Sequence, residues 1–304
     1  MRLKFWGVRG SIPSPGEATM RYGGNTTCIE IRTDASELII LDGGTGIFPL
    51  SQTLLGELPV TAHIFNTHSH WDHVQGLPFF IPNFIPGNSV RLYGAFDPIS
   101  GEGPERIMNV QMQYSYFPVR EAELKCHFEY HALQPNEVVS IGTATTVTPI
   151  LLNHPVINLG YRVDSNGTSI FFTGDHEPHF NIYEPGDDGY DEYQGLIEYQ
   201  RQSIIGAIRG VDVIVADSAY TREEYPSRKG WGHGTFDSSI QLAKDAAARI
   251  LYCTHHEPAR SDDELERVFA EAVSRHAAEA GEIEILLARE GDGVVIEPQG
   301  KQQK

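Results

Sequence analysis

Positive charge is scarce in this sequence. Twenty-three Lys and Arg stand against 41 Asp and Glu, a formal charge of −18 over 304 residues. A polyanion is gripped by clustered Lys and Arg, so the balance argues against a long nucleic acid as ligand. It leaves room for a small anion. Cysteine is scarcer still: Cys28, Cys126 and Cys253 are widely spaced, odd in number and in no CxxC pair. That excludes a disulfide framework, suits a reducing cytoplasm, and casts all three as small buried apolar residues. No apolar run approaches the about 20 residues of a membrane span, and the first residues carry no signal-peptide core. No insertion is both basic and rich in glycine and proline. The longest, residues 183–195, is acidic and reads as a solvated loop.

What is present is globular: 40% hydrophobic and 10% aromatic residues, enough for one large core. The expectation is a single domain over residues 1–299, with a disordered Gln/Lys tail at 300–304. Short β-prone runs separated by turn residues lie at 3–6, 28–32, 37–41, 60–66, 90–93, 146–152, 160–163, 169–172, 211–216 and 250–253. Residues 96–119 read as irregular. Helical spacing appears at 196–208, at 237–249 and after Ser261, where Glu264 completes a capping box ahead of Leu265, Val268, Phe269, Ala272 and Val273. Runs at 282–287 and 293–296 close the chain as strands. Strand clusters in both halves, with helices between and after them, predict an α/β fold of two packed sheets with helices outside.

The histidines point to chemistry. Thr67-His68-Ser69-His70-Trp71-Asp72-His73 follows the apolar run at 60–65 and places three imidazoles and a carboxylate within six residues. These are ligands that suit zinc, manganese or iron. His68 and His70 alternate onto one side of an extended chain and can reach one ion; Asp72 and His73 can turn toward a second. His154, Asp175 and His255 each follow a β-run as well. Strand C-termini collect functional side chains at one rim of a sheet. His176 and His256 adjoin proposed ligands and are expected to hydrogen-bond behind them, with His256 the alternative to His255 as last ligand. His63 lies within a strand and is expected to be structural.

The ordered set HxHxDH, His154, Asp175, His255 resembles the metallo-β-lactamase-fold hydrolases over nearly the whole chain, and Asp42-Gly43-Gly44-Thr45-Gly46 resembles the turn that supports their metal loop. The nearer likeness is to the phosphodiesterase branch, which holds ribonuclease Z and cyclic-nucleotide phosphodiesterases. It rests on His154 with Gly160-Tyr161-Arg162, on Gly232-His233-Gly234-Thr235, and on Phe5–Ser11 with Tyr22–Thr26. The resemblance implies a four-layer αββα sandwich and two divalent metal ions, zinc first. His68, His70 and His154 would hold one ion, Asp72, His73 and His255 the other, and Asp175 would bridge them. It further implies hydrolysis of a small phosphodiester, a cyclic nucleotide favoured, by a hydroxide bridging the metals, and a homodimer.

Asp72 and His233 are the expected catalytic pair, the first to orient the nucleophile and accept its proton, the second to contact phosphate or protonate the leaving group. Thr235 reads as a hydroxyl donor to phosphate or as the cap of the helix after it. Arg9, in a glycine-bearing turn, reads as an anion contact or an ordinary surface arginine. Competing functions are a ribonuclease Z-like endonuclease, hydrolysis of another ester, thioester or lactam, a di-iron oxygen-binding protein and a non-catalytic metal sensor. Bridging Asp175 in place of a cysteine leans away from β-lactamases. His70, where di-iron relatives carry Glu, leans away from oxygen chemistry.

Overall fold

The computed structural model describes residues 1–277, 281 and 283–298. The tail expected at 300–304 and the expected strand start at Glu282 lie outside the described residues.

The first sheet is built from β1 (Arg2–Gly7), β2 (Cys28–Arg32), β3 (Leu38–Leu41), β4 (Thr61–Phe65), β5 (Ser89–Ala95) and β6 (His127–Leu133), in that spatial order. The second orders β7 (Val139–Ile141), β8 (Thr145–Leu152), β9 (Asn158–Ser165), β10 (Thr168–Phe172), β11 (Val213–Asp217), β12 (Ile250–Thr254) and β13 (Glu284–Leu287). The last strand, β14 (Gly293–Val295), returns to the first sheet and pairs antiparallel with β1. β3 through β6 run parallel, as do β10 through β13. Parallel strands are covered on both faces, which explains why β3 and β11 are apolar nearly throughout and buried at every position.

Alternation along each strand sorts the side chains into layers. Ile39 and Leu41 face the second sheet and meet Val213 and Val215 there, within a core that also takes Phe65, Tyr161 and Phe172. Leu38 and Ile40 face outward, under α1 (Ile47–Thr53), α2 (Trp71–Val74) and α3 (Glu105–Gln111). On the far side Ile214 and Ala216 pack under α4 (Tyr190–Ile208), α5 (Phe236–Asp245) and α6 (Asp262–His276). Three apolar interfaces therefore separate four layers, helix, sheet, sheet, helix. Ser261 caps α6, its hydroxyl accepting from Glu264 N at 3.3 Å.

Three local expectations change. Residues 183–195 are not all loop: α4 begins at Tyr190, so Asp191 and Glu192 sit in its first turn, where acidic side chains favour the helix dipole. Residues 96–119 contain α3. β6 was unforeseen because His127, Glu129 and His131 break its apolar run. Among the described residues, no helix is long and apolar enough to cross a membrane.

Candidate metal centre

Six strand ends reach one rim, five from parallel-paired strands and one from β8, which two antiparallel steps through β9 set running with β10. β3 delivers Asp42, β4 the 67–73 loop, β8 His154, β10 Asp175, β11 Asp217 and β12 His255. Asp175 stands among them. Its Oδ2 lies 3.5 Å from His68 Nε2 and 3.8 Å from His154 Nε2, while His70 Nδ1 lies 3.1 Å from His154 Nε2. Its Oδ1 lies 3.2 Å from both His73 Nε2 and His255 Nε2. Asp72 Oδ2 completes that second group, 3.3 Å from His73 Nε2 and 3.1 Å from His255 Nε2. The rim thus holds two donor sets, His68/His70/His154 and Asp72/His73/His255, with Asp175 offering one oxygen to each, and a third grouping, Asp175/Asp217/His233/His255, overlaps the second.

The donors fit a pair of cations. A tetrahedral ion with ligands at about 2.0–2.1 Å has neighbouring donors about 3.3 Å apart, near the separations seen here. His68 Nε2, His73 Nε2 and Asp175 Oδ1 are buried without a hydrogen-bond partner among the described residues. Leaving such groups unpaired costs about 1–3 kcal/mol each. Coordination removes that cost.

Supporting contacts fix which nitrogen faces inward. His73 Nδ1 lies 2.7 Å from Asp42 Oδ2, and His154 Nδ1 lies 2.9 Å from the Gly232 carbonyl, so each Nδ1 donates and each Nε2 keeps its lone pair. Asp42 also accepts from Thr67 N at 2.7 Å and from Asn66 Nδ2. Ser11 N donates to Asp72 Oδ2 at 2.7 Å. Gly10 packs against His255 so closely that a Cβ would lie 2.3 Å from its ring.

Electrostatics follow the carboxylates. Burial opposes charge on His73, but Asp175, Asp72 and Asp42 outweigh it and raise its pKa. The same contest lifts His233 to about 9, with burial opposed chiefly by Asp217 and Asp175. Burial works against ionised Asp72 too, yet His73 and His255 hold it well below the ordinary carboxylate range. His68 and His154 are depressed, first by burial and despite Asp175. Divalent cations compete for the same lone pairs, so metal binding releases protons here.

His233 is brought to the edge of this cluster, its Nδ1 3.0 Å from Asp217 Oδ2 and 3.7 Å from Asp175 Oδ2. Thr235 is the cap of α5, accepting from Ser238 N at 3.0 Å. His256 turns away and sits 2.8 Å from the Ala288 carbonyl, so His255 is the residue that faces the cluster. His176 reaches Asp217 through its backbone N–H rather than its ring. His63 is buried against Tyr93, as a structural residue. Arg9 requires correction. It is fully buried and binds the carbonyls of Gly23, Glu257 and Arg260 and the Asp262 carboxylate, so its guanidinium is taken up by the chain's own acceptors and it does not lie at the surface. Its planar fork ties two loops together and thereby sets Gly10 and Ser11 against the donors.

Two residues escaped sequence reasoning. Asp217 ends an apolar strand, the signal that found Asp175, but the run was closed one residue early. Glu177 is buried and accepts from Tyr225 Oη, Gly230 N and Gly232 N, pinning the loop that carries His233. Its sequence signal is only a carboxylate two residues after Asp175.

Residues 38–256 match the beta-lactamase superfamily domain. The chain belongs to the beta-lactamase superfamily, and its two sheets with flanking helices are the metallo-β-lactamase fold. It is similar to an uncharacterised protein of Mycobacterium tuberculosis, 24% identical over 271 residues, 87% of this chain and 84% of the relative. Ribonuclease Z of Haloarcula marismortui is also 24% identical, over 96% of this chain and 95% of its own. Unliganded yeast PDE1 superposes with a TM-score of 0.66 at 17% identity, covering 97% of this chain and 99% of that one.

Proposed function

We propose that the protein is a dinuclear-metal phosphodiesterase acting on a small phosphodiester, with a cyclic nucleotide as the leading substrate and zinc as the leading metal, ahead of manganese and iron. The observation that carries this reading is the division of the two Asp175 oxygens between two histidine groups. Likeness to Ribonuclease Z and to yeast PDE1 supports phosphodiester chemistry over other esters.

His68, His70 and His154 would hold one ion, and Asp72, His73 and His255 the other, with Asp175 shared. Two divalent ions supply Lewis acidity toward phosphate and an activated water. The residues of the chain do the rest. Asp72, oriented by Ser11 N, accepts the proton of the attacking water. Asp217 and Asp175 favour the imidazolium form of His233, so that Nδ1–H stays on Asp217 while the proton on the other ring nitrogen passes to the departing oxygen and leaves a neutral ring.

The charge of −18 and the lack of a basic arm support a small anionic substrate over a long nucleic acid. The Ribonuclease Z likeness keeps an endonuclease as the second reading. Three free cysteines support a cytoplasmic setting, and a homodimer belongs to the same proposal, checked by light scattering.

The test is a panel with metal-reconstituted protein: bis-p-nitrophenyl phosphate, cyclic mononucleotides, cyclic dinucleotides and precursor tRNA. Turnover of the generic diester, abolished by Asp72→Ala and without tRNA cleavage, is the expected result. Efficient tRNA cleavage overturns the small-substrate reading. A fully metallated but inactive protein overturns the phosphodiesterase.

A further inference from the structure

A cavity of about 880 Å³ opens against His68 and His154, walled by residues of β8, α3 and α4. Its volume suits one small ligand. Trp71 lines it and is 64% exposed, although its chain neighbours His70 and Asp72 belong to the donor sets. Ile99, Leu151, Val156 and Tyr199 line the same groove and are also exposed. Large apolar side chains left open together mark a binding surface, where scattered ones do not.

Charge defines what the surface takes. The Asp, Glu, Lys and Arg residues of the lining are Asp97, Glu102 and Arg106, and Arg106 is held by Glu102 at 2.5 Å. A second phosphate would meet two carboxylates and a cation already paired. An uncharged ring meets apolar walls and the indole of Trp71.

We propose that this groove seats a flat, uncharged ring group esterified to the scissile phosphate, with Trp71 as its stacking platform and the determinant of preference among diesters. The proposal rests on the phosphodiesterase reading and deepens it. Because His68 and His154 line both the groove and the donor set, a ring in the groove would adjoin a phosphate held at the donors.

Two esters with the same leaving group isolate the retained group: thymidine 5′-(p-nitrophenyl phosphate) and methyl p-nitrophenyl phosphate. The metal-loaded protein is expected to prefer the thymidine ester through a lower KM. Trp71→Ala should cut the ratio of kcat/KM values, thymidine over methyl, about tenfold, the scale of one lost base–aromatic stack. The loss should fall on KM, and Trp71→Phe should restore most of it. Val156→Asp, outside the metal loop, should cut the same ratio by placing charge in the groove, and metal per chain is measured in every variant. A ratio unchanged in both Trp71→Ala and Val156→Asp overturns the subsite. If the fully metallated parent turns over neither ester, the phosphodiesterase reading fails instead.

Discussion

Two histidine-rich regions of this molecule are built from the same ring and do opposite things. At the rim, His68, His70, His73, His154 and His255 converge on Asp72 and Asp175, with His68 Nε2 and His73 Nε2 left without a hydrogen-bond partner. On β4 to β6, His63, Tyr93 and His131 stack across the first sheet, with His63 Nδ1 3.2 Å from the Tyr93 hydroxyl. Glu129 there sets one oxygen 3.1 Å from His127 Nε2 and the other 3.8 Å from His131 Nε2, but Arg91 Nε already donates to it and the rings share no common focus. Among the described residues the metal-capable groups all lie at the rim. A metal centre is made by lone pairs that share a focus with anionic oxygen, not by histidine density.

The sharpest way to break the comparison is to remove the shared carboxylate. Asp175→Ala should leave each chain with fewer than two bound ions and lower kcat on bis-p-nitrophenyl phosphate by at least about a thousandfold, checked by metal analysis and steady-state kinetics. His233→Gln should cost about a hundredfold in kcat while metal content stays at the parent's level, separating proton transfer from coordination. Asp42→Ala, which frees His73 Nδ1, should weaken metal binding about 10- to 100-fold, measured by competition with a chelating dye.

The smallest effect belongs to the sheet histidines. Burial is the main cause that brings the pKa of His63 down to about 4, below the 6.5 of the unfolded chain. The unfolded state therefore takes up the proton first as pH falls. Stability from this ring is complete above about pH 6.5, declines toward pH 4 and reaches a loss of up to about 3 kcal/mol. His63→Phe should flatten that part of the Tm-versus-pH profile and leave metal content untouched. A drop in bound metal would show that the two regions are not separate.

The donor set was legible because each member follows a run of apolar, β-prone residues, and parallel strands carry such ends to one rim. The layers were legible from strand clusters in each half with helices between and after them. Which face of Leu38–Leu41 or Val213–Asp217 meets the other sheet was not legible, since both runs are apolar nearly throughout. Arg9 was not, since its acceptors Glu257 and Arg260 lie 248 and 251 positions away and no local pattern announces a buried guanidinium. The start of α4 was hidden because acidic residues are common both to solvated loops and to first helical turns. β6 was hidden because a strand covered only partly can carry charge at alternate positions.

The contact of Gly10 with His255, fastened by Arg9, joins the beginning of the chain to its late portion. During synthesis His68, His70, His154 and Asp175 all emerge long before His255 does. A chain ended before position 255 keeps the whole of His68/His70/His154/Asp175 but lacks His255 from the second group. On the proposed reading, a second ion held by all its donors would report that β12 has been made and that the opening turn has found its seat.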